Sequence, residues 1–139
     1  MRLRLIITTI SLGLELSLKV QAMDRWSALS QIETRDNDSA VGAAGEISRY
    51  QVKPRLWHRY ARSDADWRDP AVALAAAQQI MRERCSGFER SYNRQPSDFE
   101  FYVLWNAPAQ IERPRKAVRE RAERFCHLVS RDDRCAKAD

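Results

Sequence analysis

The chain has 139 residues, of which 44% are hydrophobic and 31% charged, and it carries a formal net charge of +5. The length fits one domain, and three cysteines, Cys85, Cys126 and Cys135, are too few for a disulfide-dense scaffold. With no CxxC pair and only two histidines, His58 and His127, the sequence offers no Cys/His metal cluster, so no metal and no cofactor is expected.

Residues 1–22 read as a secretory signal. Arg2 and Arg4 form a basic start, Leu5 to Leu14 are mostly apolar, and Val20-Gln21-Ala22 resembles a small-residue cleavage site. Glu15 and Lys19 interrupt the apolar part, and translation from Met23 would leave the protein inside the cell. The run is far short of the roughly 20 apolar residues that a membrane span needs. The expectation is therefore an exported protein whose single domain occupies residues 23–139, with no membrane span in the mature form and an oligomeric state that the sequence leaves open. Its modestly basic remainder suits either a solvated surface or attraction to an anionic polymer such as a cell wall.

Asp24 can cap a first helix in which Trp26, Leu29 and Ile32 recur at helical spacing. Residues 34–48 form a polar loop with Gly42 and Gly45, and the piece from Ile47 to Val52 is extended or turn-like. Pro54 opens a short helix with Leu56, Trp57 and Tyr60. Asp69-Pro70 is a helix start, an N-cap acceptor followed by a residue that needs no donor, and the Ala-rich helix runs to about Arg90. Ser97 to Glu100 fits a capping box ahead of the apolar run Phe101 to Trp105, which Pro108 limits. Pro114 restarts a final helix with Val118, Ala122, Phe125 and Val129 on one stripe and Glu120 paired with Arg124. The expected fold is mainly α: about five helices around one core, with a loop or small hairpin flanking a cleft.

Chemistry concentrates between the first and second helices. Glu33-Thr34 closes the first helix, and Gln51 follows 18 residues beyond the acid. Gly45, Gln51 and Pro54 fall in register with the pattern Gly-Ala-x-Gly-Leu-Met-Gln-x-x-Pro. This block resembles the core motif of the lytic transglycosylases of the lysozyme-like superfamily, relatives of the goose-type lysozymes, with Glu33-Thr34 in place of Glu-Ser. Trp105-Asn106-Ala107 resembles the family's later Tyr-Asn-Ala-Gly, and the likeness covers about residues 24–110.

The resemblance implies a lysozyme-like helical domain that cleaves the β-1,4 bond between N-acetylmuramic acid and N-acetylglucosamine in peptidoglycan. Glu33 would be the acid. Burial raises a carboxyl pKa enough for proton delivery near neutral pH. Most glycosidases use two carboxylates, whereas this family characteristically uses one, which closes the muramyl 6-hydroxyl onto C1. Glu46 is the possible second acid, with Asp36 and Asp38 also nearby in sequence; otherwise Glu46 pairs with a base such as Arg49.

Gln51, Tyr50, Ser48, Asn106 and Trp105 are the implied substrate-binding residues. An amide matches sugar hydroxyls and N-acetyl groups as donor and acceptor; the alternative for Gln51 is a bridge between loop backbone groups. Ser48, Arg49 and Tyr50 replace the family's Gly-Leu-Met, and Trp105 replaces a Tyr whose hydroxyl would hold the acid. The indole N–H could substitute, Tyr102 could reach from the preceding turn, or Trp105 could be core.

The tail from Arg113 to Arg124 is basic, but Glu120 and Glu123 interleave and no aromatic stacking pattern accompanies it, so no nucleic-acid partner is expected. If the Ala-rich and final helices pack together, Cys85 can bridge Cys126, leaving Cys135 alone. The contrasting function is a non-catalytic glycan-binding or envelope structural protein on the same fold.

Overall fold

Capping chemistry sets most of the helix boundaries. A computed structural model describes residues 22–130 and is mainly helical. Residues 1–21 of the expected signal segment 1–22, and Cys135, lie outside the described residues.

Helix α1 spans Arg25–Thr34; the Asp24 carboxylate accepts from Trp26 N at 2.9 Å and Ser27 N at 3.2 Å. Arg35 ends it in the left-handed region at φ 57°. Helix α2, Pro54–Tyr60, starts on its proline, and α3, Pro70–Tyr92, starts on Asp69, which accepts from Ala71 N and Val72 N. Helix α4, Asp98–Asn106, carries the complete capping box: Ser97 Oγ accepts from Glu100 N, and the Glu100 carboxylate accepts from Ser97 N. A short 3₁₀ turn, Pro108–Gln110, leads to α5, Lys116–Val129. Helix α5 begins two residues later than Pro114 predicts, because Arg115 is extended and gives its N–H to Gln110 Oε1.

Helix α4 is the hub. All five residues from Phe101 to Trp105 are buried, against α5 on one side and α3 on another, while α1 packs on α5. Phe101 stacks on Phe125 at 5.8 Å and meets Trp26 edge-on at 5.6 Å, so three helices share one aromatic cluster. Each such side chain contributes roughly 1.5–3 kcal/mol on leaving water. On α5, Ala122 and Phe125 are buried and Val118 and Val129 half-buried, as the stripe requires. Glu120 pairs back with Lys116 at 3.8 Å rather than forward with Arg124. No disulfide joins Cys85 to Cys126. The principal partners of α3 are α2 and α4, and those of α5 are α4 and α1, so the helices carrying the two cysteines are not principal partners of one another.

The segment between α1 and α2 holds the only β pairing among the described residues. Ile47 bridges Val41 on one side and Val52 on the other, and Ile47 and Val52 exchange N–H···O bonds of 2.9 and 2.8 Å. This is a miniature hairpin, and it flanks the cleft. Among the described residues no helix is long and apolar enough to cross a membrane.

Candidate active site

Glu33 sits in the last turn of α1, where the chain must leave the helix. Two contacts fix that exit. Arg35 N–H returns to Gln31 O at 3.1 Å, and Thr34 Oγ1 donates to Arg49 O at 2.9 Å, tying the helix end to the hairpin. The Glu33 side chain is thereby aimed at α4, where Tyr102 Oη donates to Glu33 Oε1 at 2.7 Å.

Desolvation pushes the Glu33 carboxyl above its ordinary pKa. The Tyr102 hydrogen bond and the Arg121 charge oppose that shift, and Glu46 adds to it. The Tyr102 phenol is itself pushed far up, first by burial and then by the carboxylate beside it, so it stays a donor.

Glu33 opens into a cleft of about 860 Å³, within the range of small-ligand sites. The loop supplies Glu46 and Gln51, the end of α4 supplies Trp105 and Asn106, and Val52 and Ile80 give an apolar floor. Five of the seven residues named from sequence, Glu33, Glu46, Gln51, Trp105 and Asn106, thus meet on one cavity.

Ser48 and Tyr50 do not, which corrects their assignment to substrate binding. Ser48 is fully buried and its Oγ accepts from Tyr50 N at 3.3 Å. Tyr50 is buried edge-on between Trp26 at 6.2 Å and Trp105 at 6.5 Å. The cause is backbone conformation: Ser48 and Gln51 adopt φ of 68° and 53°. Those two left-handed residues roll the turn so that Tyr50 enters the core while Gln51 emerges into the cleft.

Gln51 does both things the sequence allowed, lining the cleft while its Nε2 donates to Ser48 O at 3.3 Å. Trp105 is likewise both core and wall, 8% exposed. The hydroxyl that meets Glu33 comes from Tyr102, three residues before Trp105 on the same helix.

The remaining acids are committed elsewhere. Asp36 accepts from Ser30 Oγ, and Asp38 binds Arg49. Arg49 is therefore not the partner of Glu46, which instead accepts from Ala44 N at 3.0 Å. A Cβ at Gly42 would fall inside contact distance of both Gln51 Oε1 and Glu46 Oε2, so this glycine makes room for the two polar groups of the loop wall.

No family model, no curated protein and no solved structure matches this chain.

The cleft also contains cations that the motif did not point to. Lys53, Arg55 and Arg59 come from the start and first turns of α2, Arg84 from α3 and Arg121 from α5. Arg84 donates from one guanidinium nitrogen to Leu104 O at 2.8 Å and Trp105 O at 2.6 Å, holding the α4 end on which Trp105 and Asn106 sit. A signal for Arg84 did exist in the sequence: it interrupts the apolar stripe Ala73, Ala77, Ile80, Phe88 at helical spacing.

Among the described residues no group of three or more His, Cys, Asp or Glu side chains could hold a metal ion. A shallower depression on the outer face of α5, lined by Glu120, Arg121 and His127 among others, is formed by that helix alone.

Proposed function

We propose that this protein is an exported peptidoglycan-cleaving enzyme with a lysozyme-like domain, acting on the β-1,4 bond between N-acetylmuramic acid and N-acetylglucosamine. The observation that carries the proposal is the 2.7 Å hydrogen bond from Tyr102 Oη to Glu33 Oε1 at the edge of the cleft. The sequence motif places an acid at position 33, and an independent element presents a buried hydroxyl to it.

The chemistry follows from the two oxygens of Glu33. Oε1 is occupied by the Tyr102 donor, so the proton resides on Oε2. Burial keeps the acid protonated at higher pH than a solvated glutamate. Oε2 delivers the proton to the departing glycosidic oxygen as the C1–O bond breaks. The resulting carboxylate, steadied by Tyr102 and Arg121, then takes the proton of the muramyl 6-hydroxyl while that oxygen bonds to C1. The product is a 1,6-anhydro end. Gln51 and Asn106 offer amide donors and acceptors to the strand, and Trp105 offers an apolar edge. Glu46 is the one other carboxylate on the cleft, so it is the group that would activate water if hydrolysis competed.

The test is incubation of purified protein with isolated cell-wall sacculi, alongside the Glu33→Gln variant, with released fragments identified by mass spectrometry. Release of 1,6-anhydromuramyl ends by the wild type alone is expected. Wall binding with no release by either protein would replace the proposal with a non-catalytic glycan-binding role.

A further inference from the structure

The α2–α3 side of the cleft is a bank of positive charge that the cleavage step does not use. The cleft is lined by five cations, Lys53, Arg55, Arg59, Arg84 and Arg121, against two carboxylates, Glu33 and Glu46. Arg121 acts on Glu33; the other four form the bank. Its origin is visible in the chain: between Glu46 and Asp64 there is no acid, while Arg49, Lys53, Arg55, Arg59 and Arg62 all fall there.

Partners are correspondingly scarce. Among the described residues, Lys53 and Arg55 have no hydrogen-bonding or ion-pairing side chain, and both are exposed. Arg59 reaches Glu83 only at 3.7 Å, and both groups are largely solvated. Arg84 is half-buried, and its polar contacts are two neutral carbonyls. Elsewhere Arg49 and Arg94 each hold a carboxylate, Arg94 by two short bonds. A concave surface of one sign concentrates oppositely charged ligands. Guanidinium groups in particular bind planar carboxylates in a fixed fork geometry.

We infer that this bank recognises carboxylates carried by the substrate strand, making the enzyme selective for anionic over neutral N-acetylated glycans. The inference rests on the proposed function for its substrate class and adds the feature that selects within it. Two sources supply the carboxylate on a wall strand: the peptide stems, and the muramyl lactyl group once a stem is removed.

Cosedimentation with Glu33→Gln, which cannot consume the polymer, measures binding to three wall preparations. One is native, one has its stems removed by an amidase to expose lactyl carboxylates, and one has its carboxyls converted to neutral amides. Amidation should weaken binding about tenfold, as two screened charge contacts would. Adding Lys53→Gln and Arg55→Gln should weaken binding to the native wall by a similar factor and remove the sensitivity to amidation. Retained binding to the amidase-treated wall assigns recognition to the lactyl group, and its loss assigns it to the stem.

Equal binding to native and amidated walls overturns the inference, as does a Lys53→Gln/Arg55→Gln variant that binds the native wall unchanged. Cleavage by the protein with Glu33 intact is scored separately on the same preparations. There the double substitution should raise KM about tenfold with kcat nearly constant. Absence of cleavage with the binding pattern intact would refute the catalytic proposal and leave the bank standing.

Discussion

Two glutamates at opposite ends of helices show how this fold sets carboxyl chemistry. Glu100 lies in the first turn of α4. It accepts from Ser97 N and Oγ and from two Arg94 nitrogens, and its pKa falls to about 2. Glu33 lies in the last turn of α1, has a single described side-chain donor, Tyr102, and its pKa rises with burial.

Each has a hydroxyl partner, so the hydroxyl does not decide the outcome. The Arg94 guanidinium on Glu100 and the burial of Glu33 do, and the helix ends act in the same directions. An N-terminus favours negative charge and a C-terminus disfavours it, and one hydrogen bond does not offset the desolvation of a carboxylate. The same residue type is thus a structural anion in one place and a candidate proton donor in the other.

The largest effect expected is on the proton donor. Glu33→Gln should lower wall cleavage by at least about two decades, near 2.7 kcal/mol of barrier. Wild-type turnover in that variant would end the contrast, since both glutamates would then be structural.

Next comes Tyr102→Phe, which should reduce kcat roughly tenfold through lost positioning of the carboxyl, on the scale of one hydrogen bond to a charged group. Its pH profile discriminates this from a packing defect. The Tyr102 bond favours the ionised form, so its removal raises the Glu33 pKa further despite Arg121, with Glu46 acting in the same direction. The alkaline limb of activity should therefore move to higher pH, and a limb that stays put or moves down contradicts the role given to Tyr102.

At the other end, Ser97→Ala should cost about 1 kcal/mol, a drop of several degrees in Tm, with kcat unaltered. Glu100 is depressed in the folded state, so its contribution is present above its ordinary value of 4.5 and is lost as pH falls toward about 2. Glu100→Gln should accordingly flatten the loss of stability in acid between those limits; an unchanged acid-unfolding curve would deny that linkage.

Glu33 has the opposite sign. Its folded pKa is raised, so the buried carboxyl contributes stability at low pH that disappears as pH rises through the folded value. Glu33→Gln should then melt slightly higher than wild type at neutral pH and converge with it below 4.5. The smallest effect belongs to the exposed Lys116–Glu120 pair, where Lys116→Ala should change stability by only a few tenths of a kcal/mol.

Legibility in the sequence tracked how local each determinant is. Asp24, Asp69-Pro70 and the Ser97–Glu100 box are satisfied within three residues, and all three helices start where those signals stand. Position 33 emerged from spacing to Gln51 and Pro54, which one short loop connects. The sequence does not choose between Trp105 and Tyr102 as the partner of Glu33, because Phe101 to Trp105 is apolar all round and buried all round. Such a run carries no stripe from which its rotation against α1 could be read.

Ser48 and Tyr50 were misplaced for a different reason. Left-handed backbone at Ser48 and Gln51, with no glycine at either position, leaves no mark in composition yet inverts which side chain faces out. The cationic bank carries no local signal of its own: Lys53, Arg55 and Arg59 follow one another along the start of α2, and only the fold sets them beside Arg84.

Gly42 gives the cleft a capacity for change that its acid lacks. The glycine φ there is not in the left-handed region, so the backbone itself would tolerate a side chain; what forbids one is the proximity of Gln51 Oε1 and Glu46 Oε2. Those two atoms are at the ends of flexible side chains, while Glu46 Cβ, at 3.2 Å, would have to give by a few tenths of an ångström. A single added methyl would thus displace the two polar groups of the loop wall while leaving Glu33, Tyr102 and the helices where they are. Variation at this one codon would reshape the loop wall, and because Glu46 helps to raise the Glu33 pKa, moving its carboxylate away would also relax that acid toward its ordinary value; a series from alanine to valine at position 42 would chart that evolutionary route.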